Sequence, residues 1–134
     1  MGLFFRRTGS WQFIGSGPGG GDASCTGRIT GRPGSVTLLA DSTPPSFSRL
    51  SVAPHAHPGP EIVGRFGDDL SGVEYDSLKM YIDGNMVIPE IDGRRHRAVY
   101  LAAAPLGRGP HQLTMHLTDR IGNSSTTERR FVLP

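Results

Sequence analysis

Residues 111–118 read His-Gln-Leu-Thr-Met-His-Leu-Thr, a stretch in which apolar and polar side chains alternate. In an extended strand this period of two puts Leu113, Met115 and Leu117 on one face and the polar side chains on the other. A parallel strand that is covered on both faces would be apolar throughout. The stretch therefore predicts a half-buried strand of an antiparallel sheet.

The same alternation extends outward along the chain in both directions. Leu78, Met80 and Ile82 are predicted to point inward, with Lys79 and Tyr81 pointing outward. Turn-forming residues separate the alternating runs, which is typical of a two-sheet sandwich. The sequence predicts an all-β, Ig-like antiparallel β-sandwich of about seven strands: Phe47–Val52, Ile62–Phe66, Ser77–Ile82, Met86–Ile91, Arg94–Leu101, the stretch around Leu113, and Thr126–Leu133.

Three turns predict which strands of the sandwich follow one another as neighbours. Asp83-Gly84 and Asp92-Gly93 are hairpin signals, because glycine adopts the positive φ of tight turns and aspartate tolerates it. They would join the strands between Ser77 and Leu101 into a three-stranded meander. A third turn, formed by Asp119, Gly122 and Asn123, is expected to use the Asp119 carboxylate as an acceptor of backbone N–H groups.

Residues 1–43 differ from the rest. Their strand candidates are short and carry little apolar mass: Leu3–Phe5, Trp11–Ile14, Thr26–Thr30 and Val36–Ala40. Gly15–Gly21 reads as a flexible loop. We predict that residues 1–43 are the end of a preceding β module or extra hairpins, and that residues 44–134 form the sandwich, with Thr43-Pro44-Pro45 as an extended joint.

Composition excludes several classes of protein. The 134 residues contain 14 Lys and Arg against 12 Asp and Glu, a formal charge of +2, so a nucleic-acid partner is not expected. No run approaches the roughly 20 apolar residues of a membrane span. Residues 1–7 lack the long apolar core of a signal peptide. Cys25 is the single cysteine, so no intrachain disulfide is possible.

A series of landmarks then follows in sequence order. It comprises Leu39-Ala40-Asp41-Ser42-Thr43-Pro44-Pro45, Asp69-Leu70-Ser71-Gly72-Val73, Tyr81-Ile82-Asp83-Gly84, Pro105-Leu106-Gly107-Arg108-Gly109-Pro110-His111 and Asp119-Arg120-Ile121-Gly122-Asn123. In this order the landmarks resemble those of bacterial Ig-like, fibronectin-type-III-like modules near the C-terminus of exported cell-wall peptidases and surface proteins. The Trp and paired Cys of antibody domains are missing from the sandwich segment.

This resemblance implies an accessory domain and not an enzyme. The expected role is that of a spacer or interaction module at the cell surface, outside the cell or in the periplasm. Its expected partners are neighbouring domains of a longer parent chain, and cell-wall or surface glycan. No cofactor is expected.

Three groups of side chains are the candidates for a chemical role. Asp68 and Asp69, helped from a second loop by Asp119, could bind Ca²⁺, although a solvated turn explains the same acids. Trp11, Tyr75 and Tyr81 could stack on sugars in a carbohydrate-binding module, or pack in the core. His55 and His57 could bind zinc in a small hydrolase, but no further zinc ligands are recognisable, and an exposed loop is the simpler interpretation.

Overall fold

The computed structural model describes residues 1–17 and 25–134. These residues form eleven β-strands and connecting loops, without a helix. The strands are β1 (Gly2–Arg6), β2 (Gln12–Ser16), β3 (Ser35–Leu39), β4 (Ser46–Ala53), β5 (Glu61–Gly67), β6 (Val73–Ile82), β7 (Asn85–Val87), β8 (Glu90–Asp92), β9 (Arg97–Leu101), β10 (Gly109–Asp119) and β11 (Ser124–Leu133). The all-β prediction is confirmed, with eight strands after residue 45 in place of seven.

The last eight strands form two antiparallel sheets, in the orders β4-β5-β9-β8 and β11-β10-β6-β7. The core lies between them, because residues of both sheets belong to one buried apolar cluster. Its fully buried members come from β5, β6, β9 and β10 and are Ile62, Met80, Ala98, Leu113, Met115 and Leu117. This strand order is that of an immunoglobulin-type sandwich. The inward positions of the stretch around Leu113 are thus confirmed.

Gly64 on β5 faces Met115 on β10 across the space between the two sheets. A Cβ atom at Gly64 would lie 2.7 Å from Met115 Cε, so only a residue without a side chain leaves room for this methionine. At the edge of the sandwich, the Arg129 guanidinium on β11 donates a hydrogen bond to the Leu50 carbonyl on β4. The edge strands of the two sheets therefore lie against each other.

The predicted three-stranded meander is wrong. Met86–Ile91 is not one strand: β7 pairs with β6, whereas β8 pairs with β9 in the other sheet. Ile88 and Pro89 make the crossing between the sheets. Proline has no N–H group with which to continue a ladder, so the chain leaves the first sheet here and joins the second.

The two predicted hairpin turns behave differently from each other. Asp83 and Gly84 have φ values of 50° and 78°, the positive values of a two-residue turn between β6 and β7. Asp92 pairs with Arg97, so the next turn is a four-residue loop in which His96, not Gly93, takes the positive φ of 49°. Gly93 has a different role, since a Cβ there would lie 3.2 Å from the Tyr75 ring, a tight contact that favours a residue without a side chain.

Strand β6 contains a bulge that the sequence did not indicate. Its register against β10 shifts between the pairs His116–Lys79 and Thr118–Glu74. The Ser77 hydroxyl fills the gap, because its Oγ accepts the Thr118 N–H at 2.8 Å and lies 2.6 Å from the Glu74 carbonyl oxygen. The bulge lets Val73 point inward as well as Leu78, although these residues lie on opposite faces of a regular strand.

The first three strands form a separate sheet in the order β2-β1-β3. Phe4 is fully buried in it and contacts Phe13 edge-on, with ring centroids 5.5 Å apart. The predicted strand Thr26–Thr30 is wrong, since these residues have no regular structure, and β2 extends through Gly15 to Ser16. Residues 18–21 of the predicted Gly15–Gly21 loop lie outside the described residues. The division at residue 43 stays a prediction.

Strand β4 begins and strand β11 ends at opposite ends of the sandwich. Ser46 pairs with Gly67, which a short loop connects to Val73, and Val73 pairs with Asp119. Leu133 pairs with Gly109 at the other end of β10. The described ranges include no helical segment with the length and apolar character that crossing a bilayer requires.

Candidate functional site

Three loops meet at the end of the sandwich where β4 begins. They are the joint after β3, the β5–β6 loop and the β10–β11 turn, and each contributes an aspartate: Asp41, Asp68 and Asp119. One carboxylate oxygen from each residue lies within 4.8 Å of the other two. We call these three residues the acidic cluster.

Backbone N–H groups hold each carboxylate of the acidic cluster in place. Asp41 accepts the N–H of Thr43 at 3.1 Å and of Ser71 at 2.9 Å. The Oδ2 of Asp68 accepts two N–H groups of its own loop, from Leu70 at 3.1 Å and Gly72 at 2.7 Å. The loops are thus built around negative charges.

Asp119 is the most enclosed member, with 2% of its surface exposed. Its Oδ1 accepts the N–H groups of Ile121, Gly122 and Asn123 at 3.0, 2.7 and 2.9 Å, and Gly122 has a φ of 103°. The Asn123 side chain then donates to Asp119 Oδ2 at 2.7 Å and to the Asp41 carbonyl at 3.0 Å. The turn predicted from the sequence therefore also joins the sandwich to the Asp41 joint.

The carboxylates of the acidic cluster form no salt bridge within the described part of the chain, although the charge of the N-terminal amine helps to lower the pKa of Asp41. Among the described residues, no Lys, Arg or His nitrogen lies within 4.0 Å of these three carboxylates. Two carboxylates about 4 Å apart repel each other by roughly 4 kcal/mol at an effective dielectric constant of about 20. Burial raises the pKa of Asp41, but the donors of Ser71 and Thr43 outweigh it and hold that pKa below its ordinary value.

Two buried oxygen atoms at the acidic cluster lack hydrogen-bond partners within the described part of the chain. They are Asp68 Oδ1 and Ser71 Oγ. Ser71 is 1% exposed, and its hydroxyl lies on the side of Asp41, whose pKa it helps to lower, without reaching hydrogen-bond geometry. Buried oxygens without partners are rare because each costs desolvation free energy.

The predicted calcium ligands are therefore only partly brought together. Asp68 and Asp119 meet as expected, but the third carboxylate is Asp41 and not Asp69, which is exposed and outside the cluster. Adjacent residues of a loop point in different directions, so Asp68 faces inward while Asp69 faces solvent. Asp41 belongs to the Asp-x-x-Pro-Pro joint of the sequence. It lies far from Asp68 and Asp119 along the chain, so the sequence alone did not indicate that the three carboxylates would meet.

The predicted aromatic residues do not form one platform. Trp11 and Tyr75 line a common groove between the first sheet and the sandwich, together with Phe13, His96 and Arg120, whereas Tyr81 does not line it. Tyr75 packs against Phe66 and donates its hydroxyl to the Gly93 carbonyl at 3.1 Å. The Arg6 guanidinium lies 4.5 Å from the Trp11 ring centroid, which covers one face of the indole.

The two histidines singled out in the sequence lie elsewhere, and so does a group of paired charges. His55 and His57 are exposed in the β4–β5 loop and do not belong to the acidic cluster. In the β8–β9 loop region, Arg95 and Arg97 lie 3.3 and 3.6 Å from Asp92 Oδ2, so that carboxylate partly neutralises both guanidinium groups.

At the opposite end of the sandwich, His111 and Asp83 form an ion pair that the sequence did not reveal. Asp83 Oδ2 lies 2.6 Å from His111 Nδ1, and the Gly107 carbonyl lies 2.6 Å from His111 Nε2. Both partners are acceptors, and only the doubly protonated ring can donate to both. The hydrogen bonds that His111 donates to Asp83 and to the Gly107 carbonyl raise the pKa of His111, and the hydrogen bonds that Asp83 accepts from Gln112 and His111 lower the pKa of Asp83.

We expect this pair to make stability depend on pH. The folded state holds the His111 proton more tightly than the unfolded chain, so the stabilisation is complete below the ordinary pKa of 6.5 and is lost as pH rises through the raised pKa. The excess unfolding free energy of the wild type over His111→Gln should therefore be largest below pH 6.5 and shrink as the pH rises above it, measured by urea denaturation. His116→Gln, on the same strand, is the control. Parallel pH profiles for wild type and His111→Gln would contradict this assignment.

Comparison with known proteins identifies no relative of this chain. No family model, no curated protein and no solved structure matches this chain. The chain is defined by its architecture, an all-β antiparallel sandwich with a three-stranded sheet before it and an acidic cluster at their junction.

Proposed function

We propose that this chain is a non-catalytic accessory module of an exported bacterial protein, acting as a spacer or interaction domain at the cell surface. The observation that supports the proposal is the position of the two ends of the sandwich. The joint that precedes Ser46 lies at one end and Leu133 lies at the other. A domain with this arrangement separates whatever is attached before it from whatever is attached after it.

The loops support the same role. Their carboxylates bind backbone N–H groups of the loops themselves, which gives each loop a fixed shape. A module that sets a distance needs a stiff connection at its ends, and the Pro-Pro joint, preceded by the hydrogen bond from Thr43 to Asp41, provides one.

The separation of the ends can be measured with pairs of spin labels in a Cys25→Ser background. Labels on Thr43→Cys and Pro134→Cys should give one narrow distance of about 30 Å, because the ten residues of β11 span about that length. The control pair, Thr43→Cys with Ser124→Cys, places both labels at one end and should give a clearly shorter distance. A broad distribution for the first pair would contradict the spacer role.

The non-catalytic part of the proposal is tested separately. The purified chain, incubated with peptidoglycan and a panel of surface polysaccharides, should release no soluble fragments. Turnover that is removed by substitution of one side chain would overturn the proposal and identify an active site.

The groove lined by Trp11 and Tyr75 supports a second candidate, a carbohydrate-binding module. Flat aromatic rings beside polar groups such as His96 and Arg120 are suited to sugar rings, which present apolar faces and hydroxyl edges. Titration with cell-wall glycans distinguishes the two functions. Saturable binding that is lost in Trp11→Ala and kept in Tyr81→Ala, whose ring lies outside the groove, would favour sugar binding.

A further inference from the structure

The acidic cluster contains more acceptor oxygens than the protein can satisfy by itself. Backbone donors occupy part of each carboxylate, but Asp68 Oδ1 and Ser71 Oγ have no partner among the described residues. Only 1% of the Ser71 surface is exposed, so water cannot reach its hydroxyl freely. Buried oxygens without partners beside three carboxylates are the kind of donor set that a hard divalent cation binds.

The spacing and the chemistry of these oxygens are compatible with Ca²⁺. Oxygens bound to one Ca²⁺ at 2.3–2.6 Å lie at most about 5 Å apart, whereas those around Mg²⁺ at 2.0–2.1 Å lie at most about 4 Å apart. The three carboxylate oxygens lie within 4.8 Å of one another, a spacing that one Ca²⁺ ion can bridge. Ca²⁺ also accepts irregular sets of oxygen ligands and completes them with water.

We propose that Asp41, Asp68 and Asp119, with the Ser71 hydroxyl, form a calcium site that ties the joint after β3 to the sandwich. One ion would contact all three loops at once. It would replace the repulsion among the carboxylates by attraction to a common charge. This site stands independently of the spacer role, because it follows from the buried oxygens and not from the positions of the ends.

The strength expected for such a site is moderate. Extracellular calcium modules commonly have dissociation constants of about 10⁻⁴–10⁻³ M. At a free concentration about 100-fold above that constant, bound calcium raises the ratio of folded to unfolded protein about 100-fold. The melting temperature of the chelator-treated chain should therefore rise steadily with calcium concentration, and calorimetric titration with CaCl₂ should show one site per chain.

Asp68→Asn is the decisive variant. The remaining side-chain oxygen can still accept the N–H groups of Leu70 and Gly72, while an amide nitrogen replaces the oxygen that lacks a partner. The variant should fold without calcium and lose the calcium-dependent rise in melting temperature. Asp69→Asn removes the same charge from the neighbouring exposed residue and should retain that rise.

A second variant and a comparison of salts complete the test of the calcium site. Ser71→Ala should weaken calcium binding, and it replaces Asp68→Asn if circular dichroism shows that the latter does not fold. MgCl₂ and NaCl at matched ionic strength should give a clearly smaller shift than CaCl₂. Absence of a calcium response in the wild type, an equal response to magnesium, or equal losses in Asp68→Asn and Asp69→Asn would overturn the proposal.

Discussion

Leu117→Ala should lower the free energy of unfolding by about 2–5 kcal/mol, the range for removing a large buried aliphatic side chain. Leu117 is fully buried on β10 and belongs to the cluster between the two sheets. Truncation would leave a cavity there, because the surrounding strands are held by ladders on both sides of β10 and cannot close in. Urea denaturation followed by circular dichroism measures the loss.

The matched control for this prediction is Leu101→Ala on β9. Leu101 is 45% exposed, so its truncation should cost well below that of Leu117. Equal losses for the two leucines would mean that the space between the sheets is not the core of the protein.

Asp119→Ala should be the most damaging substitution outside the apolar core, with a loss of about 2–4 kcal/mol. Removing the carboxylate leaves three backbone N–H groups of the β10–β11 turn without their acceptor. It also frees the Asn123 side chain, which links the turn to the Asp41 joint. Hydrogen bonds to charged groups contribute more than neutral ones, and unpaired buried donors are costly.

Two controls separate this effect from a general loss of charge. Asp119→Asn keeps an acceptor oxygen for the turn and should be less destabilising than Asp119→Ala. Asp76→Ala removes an exposed carboxylate from β6 and should change stability by under about 0.5 kcal/mol. All variants are compared in chelator, so that bound cations do not contribute. A loss for Asp119→Ala no larger than for Asp76→Ala would contradict the prediction.

The sequence predicted strands well where one face is buried. The alternation around Leu113 and from Leu78 to Ile82 identified inward residues, because burial on one face imposes a period of two. It failed at Thr26–Thr30, where a short polar run has little apolar surface to bury. It also missed the change of sheet at Pro89, because residues 86–91 carry strand-forming side chains on both sides of that proline.

The candidate site was less predictable than the fold. Asp68 and Asp119 could be suggested because each begins a turn, but their meeting with Asp41 depends on how three loops come together at one end of the sandwich. The Ser77 bulge and the His111–Asp83 pair depend likewise on the register of β6 against β10. Local sequence patterns contain no information on such distant pairings.

The opposite placement of the start of β4 and the end of β11 has a mechanical consequence. A pulling force applied between Pro45 and Pro134 runs nearly parallel to these two edge strands, each of which is hydrogen-bonded along its length to its neighbour. Because ladder hydrogen bonds are perpendicular to the strands, such a force loads many of them in shear at once instead of unzipping them one by one. The sandwich is therefore oriented to resist stretching.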